Sequence, residues 1–112
     1  MAYHQLTKYQ EAITDYDKAI QLDPSNAVNY FYRGVAKYGL KQFEAAIADC
    51  DKTIELNPGQ LSGAYFYKGL SLAYLQRHRE AIDALRLYIR YGNEANRIEI
   101  AKNIILQLGG MP

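Results

Sequence analysis

Along residues 12–24 and again along 46–58 the chain places apolar and polar residues in the same order, AITDYDKAIQLDP and AIADCDKTIELNP. Eight of the thirteen positions are identical, among them Ile13/Ile47, Asp15/Asp49, Asp17/Asp51, Ile20/Ile54 and Pro24/Pro58, at a fixed offset of 34 residues. A period of this size marks a stacked repeat protein, in which one unit cannot bury its apolar face without a neighbour. The breakers recur just as regularly: Asp23-Pro24-Ser25-Asn26, Asn57-Pro58-Gly59-Gln60, Gly92-Asn93 and Gly109-Gly110. Each can end one helix and start the next. Residues 27–57 are too many for one ordinary helix, so they are expected to fold as two, with a turn near Lys41-Gln42. The same division puts a turn at Gln76-Arg77 in the following unit.

The second helix of each unit is one-sided. Ala46, Ile47, Cys50, Ile54 and Leu56 recur near helical spacing, while Glu44, Asp51, Lys52 and Glu55 lie opposite. The first helix is apolar over most of its circumference. Asn29, Arg33, Lys37 and Lys41 form one narrow polar stripe, and Val28, Tyr30, Phe31, Tyr32, Val35, Ala36, Tyr38 and Leu40 cover the rest, which predicts burial on several sides. Tyr65, Phe66, Tyr67, Leu70, Leu72, Ala73, Tyr74 and Leu75 repeat the design. Beyond Gly92, Asn93 can cap a helix whose Ile98, Ala101, Ile104, Ile105 and Leu108 share one face, with Glu94, Arg97, Glu99, Lys102 and Asn103 solvated. Such a helix suits the end of a repeat array, where it covers the last apolar surface.

These residues resemble the tetratricopeptide repeat family, whose pattern is an aromatic, two residues, Leu-Gly, two residues, Tyr, then Ala with an aromatic four later, then Pro. The middle unit reads Tyr30, Arg33-Gly34, Lys37, Ala46, Cys50 and Pro58; the next reads Tyr65, Lys68-Gly69, Leu72, Ala81, Leu85 and Asn93. Gly34 and Ala46 stand where two closely crossing helices leave no room for a longer side chain. Arg33, Lys68, Lys37 and Asn93 depart from the pattern at single positions. Gly34 and Gly69 are 35 residues apart, which places one inserted residue near Gly59 to Gly63 and predicts a longer loop there. The resemblance implies an all-α, right-handed solenoid of antiparallel helix pairs with a C-terminal capping helix. Within a single domain over 1–112, residues 1–24 form a partial first repeat, 27–58 the second, 62–92 the third and 94–108 the cap.

The first unit is expected to be incomplete, because counting back from Gly34 by one period lands before Met1. Neither Gly nor Pro interrupts Tyr3 to Leu22, so two outcomes compete. Either a turn at Thr7-Lys8 folds Tyr3 and Leu6 back on their own helix, or the segment straightens into one helix. In the second case the stripe Leu6, Tyr9, Ile13, Tyr16 and Ile20 needs a cover, from upstream residues, a partner helix or a second copy of the chain, and a homodimer through these residues is expected whenever neither of the first two is present.

Composition narrows the function by exclusion. The formal charge of +1 in 112 residues gives no dense basic surface for nucleic acid or anionic membrane. No apolar run is long enough to span a membrane, and the first ten residues lack the basic and apolar regions of a signal peptide; a soluble, cytoplasmic protein is expected. Cys50 is the only cysteine, so neither an intramolecular disulfide nor a thiolate metal site can form, and its place on the apolar side makes it a buried structural thiol. His4 and His78 have no partner at metal-ligand spacing. There is no phosphate loop and no nucleophile with a base nearby, and the paired acids at Asp15/Asp17 and Asp49/Asp51 point to different helix faces. No enzyme activity, cofactor, metal or small-molecule substrate is expected.

The charges have a structural reading. Glu44, Asp51 and Glu55 occupy the positions of Arg79, Arg86 and Arg90 one unit later, so stacked second helices are expected to pair acids with bases. Residues 1–59 hold six basic against eight acidic residues, net −2, and 60–112 hold seven against four, net +3. By resemblance, the first helices line a concave groove for a partner's peptide or helix, and the matching positions are Val28, Phe31, Tyr32, Val35, Tyr38, Phe66, Tyr67, Leu70 and Tyr74. A subset of the family grips the C-terminal carboxylate of chaperones with Lys, Asn and Arg, but Tyr32, Gly63 and Tyr67 stand where three of those are needed. The expected function is a protein-interaction module for an apolar or aromatic protein segment, with a self-associating scaffold as the alternative.

Overall fold

The computed structural model describes residues 2–59 and 61–112, with residues 2–4 entering through their backbone alone. The expectations for His4 and for the side chain of Tyr3 lie outside the described residues. Six helices follow one another: α1 (Ala2–Leu22), α2 (Ala27–Gly39), α3 (Phe43–Leu56), α4 (Gly63–Tyr74), α5 (His78–Tyr91) and α6 (Ala95–Gln107). Each packs on the next, and α2 also touches α4, so the first helices of successive units form an inner layer with the second helices outside. No strand occurs among the described residues. The chain is an all-α helical repeat.

The breakers act as their chemistry dictates. The Asn26 side chain accepts a hydrogen bond from the Val28 amide at 3.0 Å and caps α2. Both hairpin turns use a residue in the left-handed region, Lys41 at φ 63° and Gln76 at φ 64°. In each turn the amide three residues beyond the helix end reaches back five residues, Gln42 N to Lys37 O and Arg77 N to Leu72 O, both at 2.9 Å, which satisfies a carbonyl at the helix end. The loop between α3 and α4 has six residues against four between α1 and α2, where the inserted residue was expected. One cap differs: α6 is preceded by Glu94 rather than Asn93.

Close helix crossings account for two glycines. A Cβ on Gly34 would lie 3.2 Å from Asp49 Cβ, and one on Gly69 would lie 2.6 Å from Leu85 Cγ. The core beneath α4 joins Phe66, Leu85, Tyr88, Ala101 and Ile105, with Ile98 and Ile104 packed against it, so α6 covers the end of the array as a cap should.

The straight form of the first unit is the one observed, since α1 runs unbroken through Thr7-Lys8 for 21 residues, about 31 Å. Its stripe is partly covered within the chain. The Tyr9 ring packs on Gly39, and Tyr16 stacks on Tyr32 with centroids 5.9 Å apart. Tyr9, Ile13, Tyr16 and Ile20 are half-buried, and Leu6 is 43% exposed.

The ion pairs depart from expectation. Among the described residues no salt bridge joins α3 to α5. Asp17, Asp49 and Asp51 find their cations on the first helices instead, while Glu55 and Asp83 pair within their own helices. Arg33 Nη1 meets Asp17 at 2.8 Å and Lys68 Nζ meets Asp51 at 2.6 Å, the same inter-unit bridge one period apart. Within the middle unit Asp49, 4% exposed, is held by Arg33 and by Lys37 at 3.1 Å. Arg86, the counterpart of Asp51 in the third unit, donates to the Met111 carbonyl at 2.8 Å.

Candidate functional site

By resemblance the first helices are expected to line a groove, and they are rich in aromatic residues. Seven rings form one connected series across α1, α2, α3 and α4. Tyr16 stacks on Tyr32, Tyr32 meets Phe31 at 5.2 Å, Phe31 meets Tyr67 at 6.1 Å, and Tyr67 meets Tyr38 at 5.4 Å. The series continues from Tyr38 to Tyr74 at 6.1 Å and ends with Tyr74 stacked on Phe43 at 4.7 Å. Most of the contacts are edge-to-face or tilted, the arrangement aromatic quadrupoles favour. Burial and the neighbouring Tyr74, which shares a hydrogen bond with it, push the Tyr38 hydroxyl up to about 12. Tyr38 therefore stays neutral and a hydrogen-bonding group at physiological pH.

The series is open near both ends, where Tyr32 and Tyr74, each one ring in from the end, are 47% and 62% exposed. Beside Tyr32 lies a recess of about 390 Å³ between the starts of α2, α4 and α6, walled by Phe31, Val35, Tyr67, Asn93 and Arg97. At the other end Tyr38, Lys41, Phe43 and Tyr74 border a second recess of about 340 Å³. Leu70 and Tyr74 line a third, of about 270 Å³, with Ile104 of α6 and Leu108 just past its end. Eight of the nine predicted groove residues are thus exposed or half-buried, with Val28 exposed one turn before Tyr32. Phe66 is not among them. It is 6% exposed and packs on Tyr88 at 5.1 Å, so it is a core residue with no open surface.

Three participants escaped the sequence reading. Phe43 opens α3, not a first helix, yet its ring stacks on Tyr74. Lys41 reaches the same recess from the turn. Arg97, read as solvated, instead lies over the Phe66 and Tyr67 rings at 5.7 and 5.9 Å, within the range of a cation–π contact. The visible signal was its place directly before Ile98 on the covering face of α6.

The remaining candidates carry no site chemistry. Cys50 is fully buried, and burial with the charges of Asp49 and Asp51 pushes its thiol up to about 12, the reverse of what a nucleophile needs. His78 is exposed beside Gln76 Oε1 at 3.2 Å. Among the described residues no group of three potential ligands could hold a metal ion, and no helix is long and apolar enough to cross a membrane.

Residues 2–41 match the family model described as TPR repeat. No curated protein matches the chain. Among solved structures, the Arabidopsis OM64 TPR domain superposes with a TM-score of 0.83 at 25% identity, covering 90% of this chain and 83% of that one. The first TPR of Spaghetti (RPAP3), bound to the HSP90 peptide SRMEEVD, gives 0.82 at 29% identity, covering 96% and 86%. The Yersinia enterocolitica type III secretion chaperone SycD, in complex with a peptide of the translocator YopD, shares the fold at 0.82 and 17% identity, covering 96% and 86%. With its 34-residue period, its six packed helices and the family match over residues 2–41, the chain is similar to tetratricopeptide repeat domains in fold and in repeat pattern.

Proposed function

We propose that the chain is a protein-interaction module that holds an apolar or aromatic segment of a partner protein along Phe31, Tyr32, Val35, Tyr38, Tyr67, Leu70 and Tyr74. The observation that carries this reading is the connected aromatic series in which Tyr32 and Tyr74, the rings next to its two ends, stay exposed. Exposed rings near the ends of a fixed series offer large contact area at little cost in side-chain entropy. Each large apolar side chain seated there contributes roughly 1.5–3 kcal/mol. The Spaghetti domain bound to an HSP90 peptide supports peptide binding as the general activity. The gripping positions of chaperone-binding relatives, held here by Tyr32, Gly63 and Tyr67, favour an apolar ligand over a chaperone terminus.

The test is selection from a random peptide library, followed by affinity measurement with Tyr32→Ala and Tyr74→Ala. Both side chains are exposed enough that unfolding temperature is expected to hold while affinity falls about tenfold for each. Undiminished binding by the double variant overturns the reading.

A second reading, self-association through Leu6, Tyr9, Ile13, Tyr16 and Ile20, is favoured by one observation. Among the described residues α1 packs chiefly on α2, and Leu6 and Leu22 stand 43% and 88% exposed.

A further inference from the structure

We infer that the recess beside Tyr32 selects partner segments carrying an internal Asp or Glu side chain next to the apolar anchor, and that Arg97 is the residue that reads it. This rests on the groove reading above and names the chemistry of its ligand. The Arg97 guanidinium lies over two rings, Phe66 and Tyr67, which fixes its plane; it shares one hydrogen bond with the Tyr88 hydroxyl, and its other N–H donors face no partner within hydrogen-bond distance among the described residues. A guanidinium held in this way suits the two oxygens of a carboxylate. Its acidic neighbour occupies it only loosely. Glu94 Oε1 stands 3.7 Å from Nη1, beyond hydrogen-bond distance, and Glu94 is itself exposed. An ion pair of that length on the surface contributes little and yields to a carboxylate seated at hydrogen-bond distance.

The rest of the recess agrees in polarity. Tyr32, Ser62, Tyr67 and Asn93 share its wall with Phe31 and Val35, so hydroxyl and amide donors surround a partly apolar floor. A side-chain carboxylate fits better than a chain terminus, because Arg97 is the one cation in this wall and must already offset Glu94. The wall is also continuous with the aromatic series through Phe31 and Tyr67. A segment lying on the rings therefore brings the residue beside its apolar anchor to Arg97.

The experiment uses the intact chain and one peptide chosen from the library selection, made in three forms: unchanged, with its acidic residue changed Glu→Gln or Asp→Asn, and with an amidated C-terminus. The neutralised form is expected to bind about tenfold more weakly at low salt, as for the loss of a charge-assisted hydrogen bond. That difference should shrink with Arg97→Gln, and Arg97→Lys should restore part of it. Equal binding of the neutral and acidic peptides overturns the inference without any protein variant, and so does a loss confined to the amidated form, which assigns the recess to a chain terminus. Peptides that need Tyr32 and Tyr74 yet ignore charge leave the groove standing and remove Arg97. Enriched peptides indifferent to those tyrosines remove both.

Discussion

Arg33 grips Asp49 with two nitrogens, Nε on Oδ2 at 2.9 Å and Nη2 on Oδ1 at 2.7 Å. The carboxylate lies between two helices of one unit, and Lys37 closes on its remaining side. Proximity to Asp49, through that hydrogen bond first, raises the Arg33 guanidinium above its ordinary pKa despite its partial burial. Arg33 therefore stays charged across the whole accessible pH range.

Removing one member strands the others. Asp49→Ala is expected to cost about 2–3 kcal/mol, less than a fully buried pair because Arg33 keeps some solvent and Asp17. In the third unit Lys68, Leu72 and Ala84 stand at the positions of Arg33, Lys37 and Asp49. Adding Lys37→Leu to Asp49→Ala should accordingly recover at least half the loss. Thermal melting decides it, with about 10 °C expected between wild type and the single variant; a difference within the error of the melt means the cluster contributes nothing.

The two crossing glycines should respond unequally to the same change. Gly69→Ala drives a methyl to 2.6 Å from Cγ of the fully buried Leu85, whereas Gly34→Ala meets Asp49 Cβ at 3.2 Å. The first is expected to lose about 1–3 kcal/mol from overpacking. In the second, the gain of up to about 1 kcal/mol in helix propensity offsets most of the strain. Urea unfolding of both variants ranks them, and Gly34→Ala as the less stable would contradict the geometry.

Alkaline pH should weaken the fold through Cys50. Burial raises its thiol from an ordinary 9.0 to about 12, so above pH 9 the unfolded chain releases a proton that the folded chain retains. The contribution is full below pH 9 and is lost progressively as pH rises to 12. Tyr38, also pushed up to about 12 by burial, acts with the same sign. Cys50→Ala and Tyr38→Phe should each flatten part of the decline in melting temperature between pH 9 and 12, and a wild-type slope left intact by both would assign it elsewhere.

Self-association through α1 is open to a direct test. Sedimentation across a dilution series should show a concentration-dependent dimer that Leu6→Asp dissociates without lowering the monomer's melting temperature, since Leu6 is the most exposed of the stripe's five residues. A concentration-independent monomer removes the idea.

The helix order and both hairpin turns were legible because period and breakers are local signals, and Lys41 and Gln76 sit at the turns they predicted. The acids were misassigned for a physical reason. Aligning units in sequence suggests that second helices face one another, but the nearest cations to Asp17 and Asp51 come from first helices, at Arg33 and Lys68. Those two residues were visible only as departures from a usual Leu. Phe66 and Arg97 depend on how α6 tilts over the end of the array, a relation that no single-helix pattern records. The straightness of α1 was legible as one of two outcomes; the cover that Gly39 gives Tyr9 was not, because it requires knowing which turn of α2 lies opposite.

In α1, packed chiefly on one neighbour, lies a direction of unravelling. An array held by nearest-neighbour contacts opens from the end that buries least, and among the described residues α1 has no fully buried side chain whereas α6 buries Ala101 and Ile105. The far end is sealed by α6 over Phe66 and Tyr88, so amide hydrogens should exchange fastest in α1 and more slowly toward α5. Arg33 is the clasp on that zipper, since the nitrogen it lends to Asp17 belongs to the guanidinium already fastened to Asp49.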